Sequence, residues 1–260
     1  MKTNVRKKVA FIIAVIMFFG STITGKTLPS VKEKPQDHCA MGLRSLIEYD
    51  YSFSHSPSLL STDNQIGGSR PTGHNAKLIG VPETGHDHSS CLTTSSTYLS
   101  NYGYPTTIYT SSSALTKYGV ISLLSNSGTK VFASRSHGGY TADSTYIELP
   151  STNLYSTDLS GYDLSNLYVA LFIGCRTGYG GVGGNNLPSV AVAQGADCSV
   201  GFSQTIGCAK ANEWTIQCFY DLCVAEYTVY QTCTYLGSLT KYTQAGLGSY
   251  VICGASGTYL

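Results

Sequence analysis

Short apolar runs with turn residues between them dominate the second half of the chain. Leu167 to Ile173 is apolar almost throughout, the pattern of a strand buried on both faces. Lys130 to Ser134, Cys198 to Phe202 and Thr106 to Thr110 also read as strands, Tyr250 to Cys253 as a closing strand, and Ala76 to Val81 is a short apolar stretch. Thr145 to Leu149 reads as a hairpin-like or edge strand. Between these runs the period changes to that of helices. Residues 90–101 follow capping residues Asp87 to Ser90 and stop before Gly103. Leu115, Tyr118, Ile121 and Leu124 recur at three-residue steps behind Ser112 and Ser113, two candidate caps. Pro188 suits a first helical turn and Gly195 a C-terminal cap. Trp214, Cys218, Leu222 and Ala225 mark a helix over 209–225, and a further helix is expected over 228–244. Strand and helix thus alternate, which predicts an α/β domain with a mainly parallel sheet covered by helices on both faces.

The N-terminal region has another character. Residues 1–25 run basic, then apolar, then small: Lys2, Arg6, Lys7 and Lys8 precede an apolar run from Val9 to Gly20, too short to span a bilayer comfortably. This is the order of a secretory signal peptide, so a secreted, extracellular protein is expected, with membrane association only if the segment stays uncleaved. Residues 26–40 read as a linker and 41–260 as one domain, with a first strand expected within 44–54. The formal charge is +1, and without the four basic residues of the leader it is about −3, with no basic stripe. Nucleic acid is therefore not an expected partner. Hydrophobic residues are 42% and charged ones 12%, so the polar surface must come from Ser, Thr, Asn, Gly and the 20 Tyr.

Nine cysteines are present. Export would permit up to four disulfides and one free thiol, with Cys175 the free one; the alternative is that several late cysteines are unpaired core thiols.

Two strand ends carry the candidate chemistry. One run finishes in Ser136-His137-Gly138-Gly139, and 38 positions after His137 an apolar strand finishes in Gly174-Cys175. Neighbouring parallel strands would put an imidazole and a thiol at one sheet edge, beyond the carboxyl ends where α/β sites lie. Attack by sulfur on a carbonyl needs a thiolate, a proton carrier and donors for the oxyanion. Cys175 is the candidate nucleophile and His137 the candidate acid/base. The backbone N–H groups of Gly138 and Cys175 are the candidate oxyanion hole. Arg176 is a surface residue or a substrate-orienting one. Gly180, Gly181, Gly183 and Gly184 form a turn or a mobile lip of the cleft, and Asp143, Asp158 and Asp163 are caps, surface charges or lining for the base. His74, His86, Asp87 and His88 form a second constellation, read as a solvated polar loop or as a metal site.

These segments resemble a known family. The apolar strand ending in S-H-G and the apolar strand followed by G-C-R-T-G are similar to the clan CD, caspase-like cysteine peptidases: caspases, clostripain and gingipain relatives, and CHAT domains. The stretch from Asn186 to Phe202 resembles the helix–strand unit after the nucleophile in such chains, and Ala211 to Leu222 resembles the next helix. The likeness covers about Lys130 to Leu222. It implies a caspase-like three-layer sandwich and a cysteine endopeptidase acting on peptide or protein substrates through His137 and Cys175, without a cofactor beyond a structural Ca2+ of unassigned ligands. Gly174 stands where caspases carry glutamine, which favours the bacterial branches over caspase-type aspartate specificity. The alternative is an exported binding or signalling module of the same fold without turnover; a metal-binding surface protein using His74, His86 and His88 is a third reading.

Overall fold

The computed structural model describes residues 74–83 and 87–260. The expected leader, linker and first strand, and His86, lie outside the described residues. Among the described residues no helix is long and apolar enough to cross a membrane.

Six strands form the main sheet in the order β2-β1-β3-β7-β8-β9. They are β1 (Asn75–Gly80), β2 (Thr106–Tyr109), β3 (Thr129–Arg135), β7 (Val169–Ile173), β8 (Cys198–Phe202) and β9 (Tyr250–Gly254). All neighbours pair parallel except β9, which runs antiparallel to β8. Successive side chains of one strand point to opposite faces, and the core divides accordingly. Val131, Ala133, Val169, Leu171 and Ile173 share one apolar cluster with helices α1 (Ser90–Tyr102), α4 (Cys208–Cys223) and α5 (Val229–Ser238). Phe132, Ala170 and Phe172 belong to the other, with α2 (Lys117–Leu124) and α3 (Leu187–Ala193). The result is helix, sheet, helix: the α/β, caspase-like three-layer sandwich expected. Trp214 is fully buried and meets Phe202 edge-on.

Between β3 and β7 the chain builds a three-stranded antiparallel sheet from β4 (Gly138–Tyr140), β5 (Thr145–Leu149) and β6 (Thr152–Tyr155). The hairpin-like reading of 145–149 holds: β5 is the central strand of this sheet, antiparallel to both neighbours, and not an edge. Its alternation buries Thr145, Ile147 and Leu149. Two helix boundaries also differ from the sequence pattern. α2 starts at Thr116, whose hydroxyl accepts from the Gly119 N–H, and not at Ser112 or Ser113. The expected helix over 228–244 divides at Leu239, whose extended backbone separates α5 from the short α6 (Thr240–Thr243). Gly103 closes α1 at φ 117°, where a side chain would be strained.

The disulfide expectation is corrected for the described part of the chain. All eight described cysteines are free thiols. Six of them sit on strand and helix faces that pack into the core, where they act as small apolar side chains. Burial pushes Cys91 up to about 11 and Cys198 and Cys223 up to about 12, and also raises Cys218 and Cys233. Cys175 and Cys208 are the two that are only partly buried.

Candidate active site

The backbone brings the two motifs together. β3 and β7 pair in parallel up to Arg135 opposite Ile173, and the Ser136 N–H donates to the Ile173 carbonyl. Beyond that rung the chains emerge side by side. A Cβ on Gly174 would lie 3.0 Å from the Ser136 oxygen and 3.3 Å from both the Gly138 nitrogen and the His137 oxygen. A Cβ on Gly138 would lie 2.7 Å from the Cys175 oxygen. Both glycines are thus required by the close approach of the two strand ends, which explains the S-H-G and G-C pattern.

The Gly138 N–H has a defined direction. Glu148 N–H donates to the His137 carbonyl at 2.9 Å, so Gly138 and Ile147 form a pair that exchanges no hydrogen bonds. The Gly138 N–H therefore points away from β5, toward the end of β7. No hydrogen bond from the Cys175 N–H is formed among the described residues. The Cys175 sulfur accepts from the Ile206 N–H at 3.4 Å. Residue 206 belongs to the loop between β8 and α4, which forms the wall behind the thiol. Just past Cys175, Arg176 takes a left-handed φ of 58° and holds its guanidinium 5.0 Å from the Tyr140 ring centre. Tyr140 also stacks on Tyr179, at the start of the glycine-rich turn.

The acid that faces the base is one that reading the sequence missed. Glu83 makes a short carboxylate contact to Nε2 of His137. The three aspartates between the motifs are engaged elsewhere. Asp158 pairs with Lys117 and accepts from the Tyr155 N–H, Asp163 accepts from the Ser165 N–H, and Asp143 sits in the exposed β4–β5 turn. Glu83 reaches His137 because β1 neighbours β3: the ladder ends at Gly80 opposite Arg135, the Val81 N–H donates to the Arg135 carbonyl, and two residues later the carboxylate stands beside the imidazole. The signal lay in the sequence as a lone acid just beyond an apolar run.

The two described histidines of the second constellation separate. His74 stacks near Tyr104 and Tyr168 before the N-terminal end of β1, whereas His88 lies past its C-terminal end. The two are at opposite ends of one strand and share no ion. Asp87 caps α1, accepting from the Ser89 and Ser90 N–H groups and the Ser89 hydroxyl; these bonds hold its carboxyl down at about 2. His88 is buried, with Nδ1 against the Val81 carbonyl and Nε2 3.4 Å from the Cys208 sulfur. Arg135 is also buried, and its guanidinium donates to Asn212, to the Cys208 carbonyl and to the Cys208 sulfur, tying the start of α4 to the end of β3.

No protein-family model matches the chain, and no curated protein sequence matches it. Solved structures do. The complex of the pro- and mature domains of RgpB from Porphyromonas gingivalis superposes with a TM-score of 0.54 at 15% identity, over 72% of this chain and 48% of that one. The Arg-specific cysteine proteinase gingipain R superposes with a TM-score of 0.55 at 14% identity, over 72% of this chain and 47% of that one. The chain therefore has the caspase-like fold of the gingipains, and it spans about half the length of those chains.

Proposed function

We propose that the chain is a cysteine endopeptidase whose reacting groups are Cys175 and His137, with Glu83 as the residue that positions the imidazole. The observation that carries the reading is the junction of β3 and β7, where a base and a free thiol leave adjacent parallel strands at the edge used by α/β enzymes. The thiolate of Cys175 attacks the peptide carbonyl carbon, and the C=O electron pair moves onto oxygen. The N–H groups of Gly138 and Cys175 receive that oxyanion. His137 protonates the departing amine as the C–N bond breaks, leaving a thioester. It then takes a proton from water, which attacks the thioester and releases the acid and the thiol. Glu83 accepts from Nε2 throughout and favours the ring while it carries charge.

The gingipain neighbours support this reading through their fold, being cysteine proteinases themselves. The free thiol of Cys175 leaves its sulfur available for attack. Export through residues 1–25 belongs to the same proposal, and N-terminal sequencing of protein from the culture medium tests it. The test of function is hydrolysis of a casein-type substrate. The wild-type chain is expected to cleave it, and Cys175→Ala to abolish cleavage while keeping the wild-type melting temperature. Unchanged cleavage by Cys175→Ala would remove the proposal.

A further inference from the structure

The Nε2 side of His137 holds a second set of donors. Glu83, His88 and His137 each present a ligand atom, and all three atoms lie within 4.8 Å of one another. Among the described residues no other three His, Cys, Asp or Glu groups come together in this way. Two histidines and a glutamate match a three-donor zinc set with an open fourth position. Tetrahedral bonds of about 2.0–2.2 Å put such donors roughly 3.3–3.6 Å apart, so small side-chain movements close the set.

The set is built, and not only assembled from surface residues. His88 is 2% exposed. Its Nδ1 lies 3.0 Å from the Val81 carbonyl, which can only accept, so Nδ1 carries the proton and the lone pair of the neutral ring is on Nε2. A histidine whose second nitrogen is fixed on a backbone carbonyl is how metal-ligating imidazoles are oriented. The rings of His88 and His137 meet edge to face with centres 5.7 Å apart. Glu83 is the solvent-exposed member, so an ion has a way in.

We propose that Glu83, His88 and His137 form an inhibitory zinc site that turns the peptidase off. The regulatory part rests on the function proposed above. Zn2+ takes the Nε2 lone pair of His137, and the single proton of the neutral ring, displaced from between Nε2 and Glu83, moves through solvent to Nδ1. The metallated ring then carries that proton on Nδ1 and has no lone pair to accept another. His137 cannot act as a base, and Glu83 is drawn from imidazole to metal. Cys208 lies beside His88, but its sulfur is also held by Arg135, a permanent cation at 3.1 Å, and it is not a member of the set.

The experiment titrates Zn2+ into the full chain by calorimetry in the Cys175→Ala background, which reads binding without turnover. One equivalent is expected. Glu83→Gln and His88→Gln each weaken it about tenfold or more, as expected for losing a ligand, while Cys208→Ser leaves it within about threefold. Glu83 is exposed, so its variant tests the site even if the buried His88 change unfolds the chain. In the active protein, Zn2+ inhibits hydrolysis and EDTA restores it, and His88→Gln keeps activity but needs about tenfold more zinc for half inhibition. The site is overturned if Glu83→Gln and His88→Gln bind zinc like the parent, or if Cys208→Ser abolishes binding. If binding follows the three residues but the wild-type chain hydrolyses nothing, the metal site stands and the inhibitory role falls with the peptidase reading.

Discussion

Replacing Glu83 by glutamine keeps the shape of the contact to His137 and removes its charge. The carboxylate accepts from Nε2 while the ring is cationic, so the wild-type bond is charge-assisted in the charged intermediate states. Hydrogen bonds to charged groups contribute about 1.5–3 kcal/mol, and neutral ones about 0.5–1.5 kcal/mol. The difference is about 1–1.5 kcal/mol. Glu83 is 41% exposed and His137 27%, so solvent takes the figure to the lower end, about 1 kcal/mol. That corresponds to a loss of about fivefold in kcat/KM for Glu83→Gln. Glu83→Ala also removes the acceptor, and about 2 kcal/mol gives a loss of about thirtyfold. The assay is steady-state hydrolysis of one substrate at several salt concentrations. The loss should fall on kcat with KM little changed, because the positive ring is formed during turnover. The wild-type advantage should shrink as salt rises. A Glu83→Gln enzyme within twofold of wild type at low salt, or one altered only in KM, would refute the positioning role.

Three further expectations concern the frame around the site. Gly174→Ala inserts a methyl 3.0 Å from the Ser136 oxygen and 3.3 Å from the Gly138 nitrogen, so the strand ends must part by a few tenths of an ångström. Activity should fall about tenfold or more while the melting temperature drops little, since catalysis is more sensitive than folding to small misplacements; an active Gly174→Ala enzyme would show that the two ends need not approach so closely. Arg135→Met removes a buried cation whose partners, Asn212 Oδ1 and the Cys208 carbonyl, are left unsatisfied. It should cost about 2–4 kcal/mol in urea unfolding, and a neutral result would mean that water takes over those partners. Asp221 is buried with one oxygen unpartnered, and burial raises its carboxyl above 3.8. The folded state therefore holds this proton more tightly than the unfolded state. Stability from this group is greatest below pH 3.8 and declines as pH rises through the folded value. Asp221→Asn should stabilise the protein at neutral pH and remove that part of the decline, as read by melting temperature against pH.

The layered fold was legible because its strands are written as local patterns. Leu167 to Ile173 is apolar on both sides of the strand, and both faces of β7 are covered by helices. Motif order likewise marked His137 and Cys175, since each ends such a run. What the pattern could not supply was pairing across sequence. Glu83 is 54 residues from His137 and meets it only because β1 lies against β3. The aspartates nearer in sequence are turn and cap residues, as one reading of them had it. β5 read as a hairpin-like or edge strand, and its central place was hidden because its partners, β4 and β6, are three and four residues long, too short to register as strands on their own. The division at Leu239 follows from a backbone that turns extended after Gly237-Ser238, within a stretch that otherwise keeps helical spacing. The cysteine count left crosslinks and core thiols both open, and for the described residues burial settles it in favour of packing.

The small antiparallel sheet has a consequence for how such a chain can diversify. Its first strand begins one residue after His137, and the His137 carbonyl is anchored to Glu148 on β5. Slipping β5 by one residue against β4 would invert every side chain of β5 and pull on that anchor. The far corner is the β4–β5 turn, exposed at Thr141, Ala142 and Asp143. New residues spliced in there would lengthen the hairpin at the end away from His137 and leave the backbone that carries the imidazole where it is.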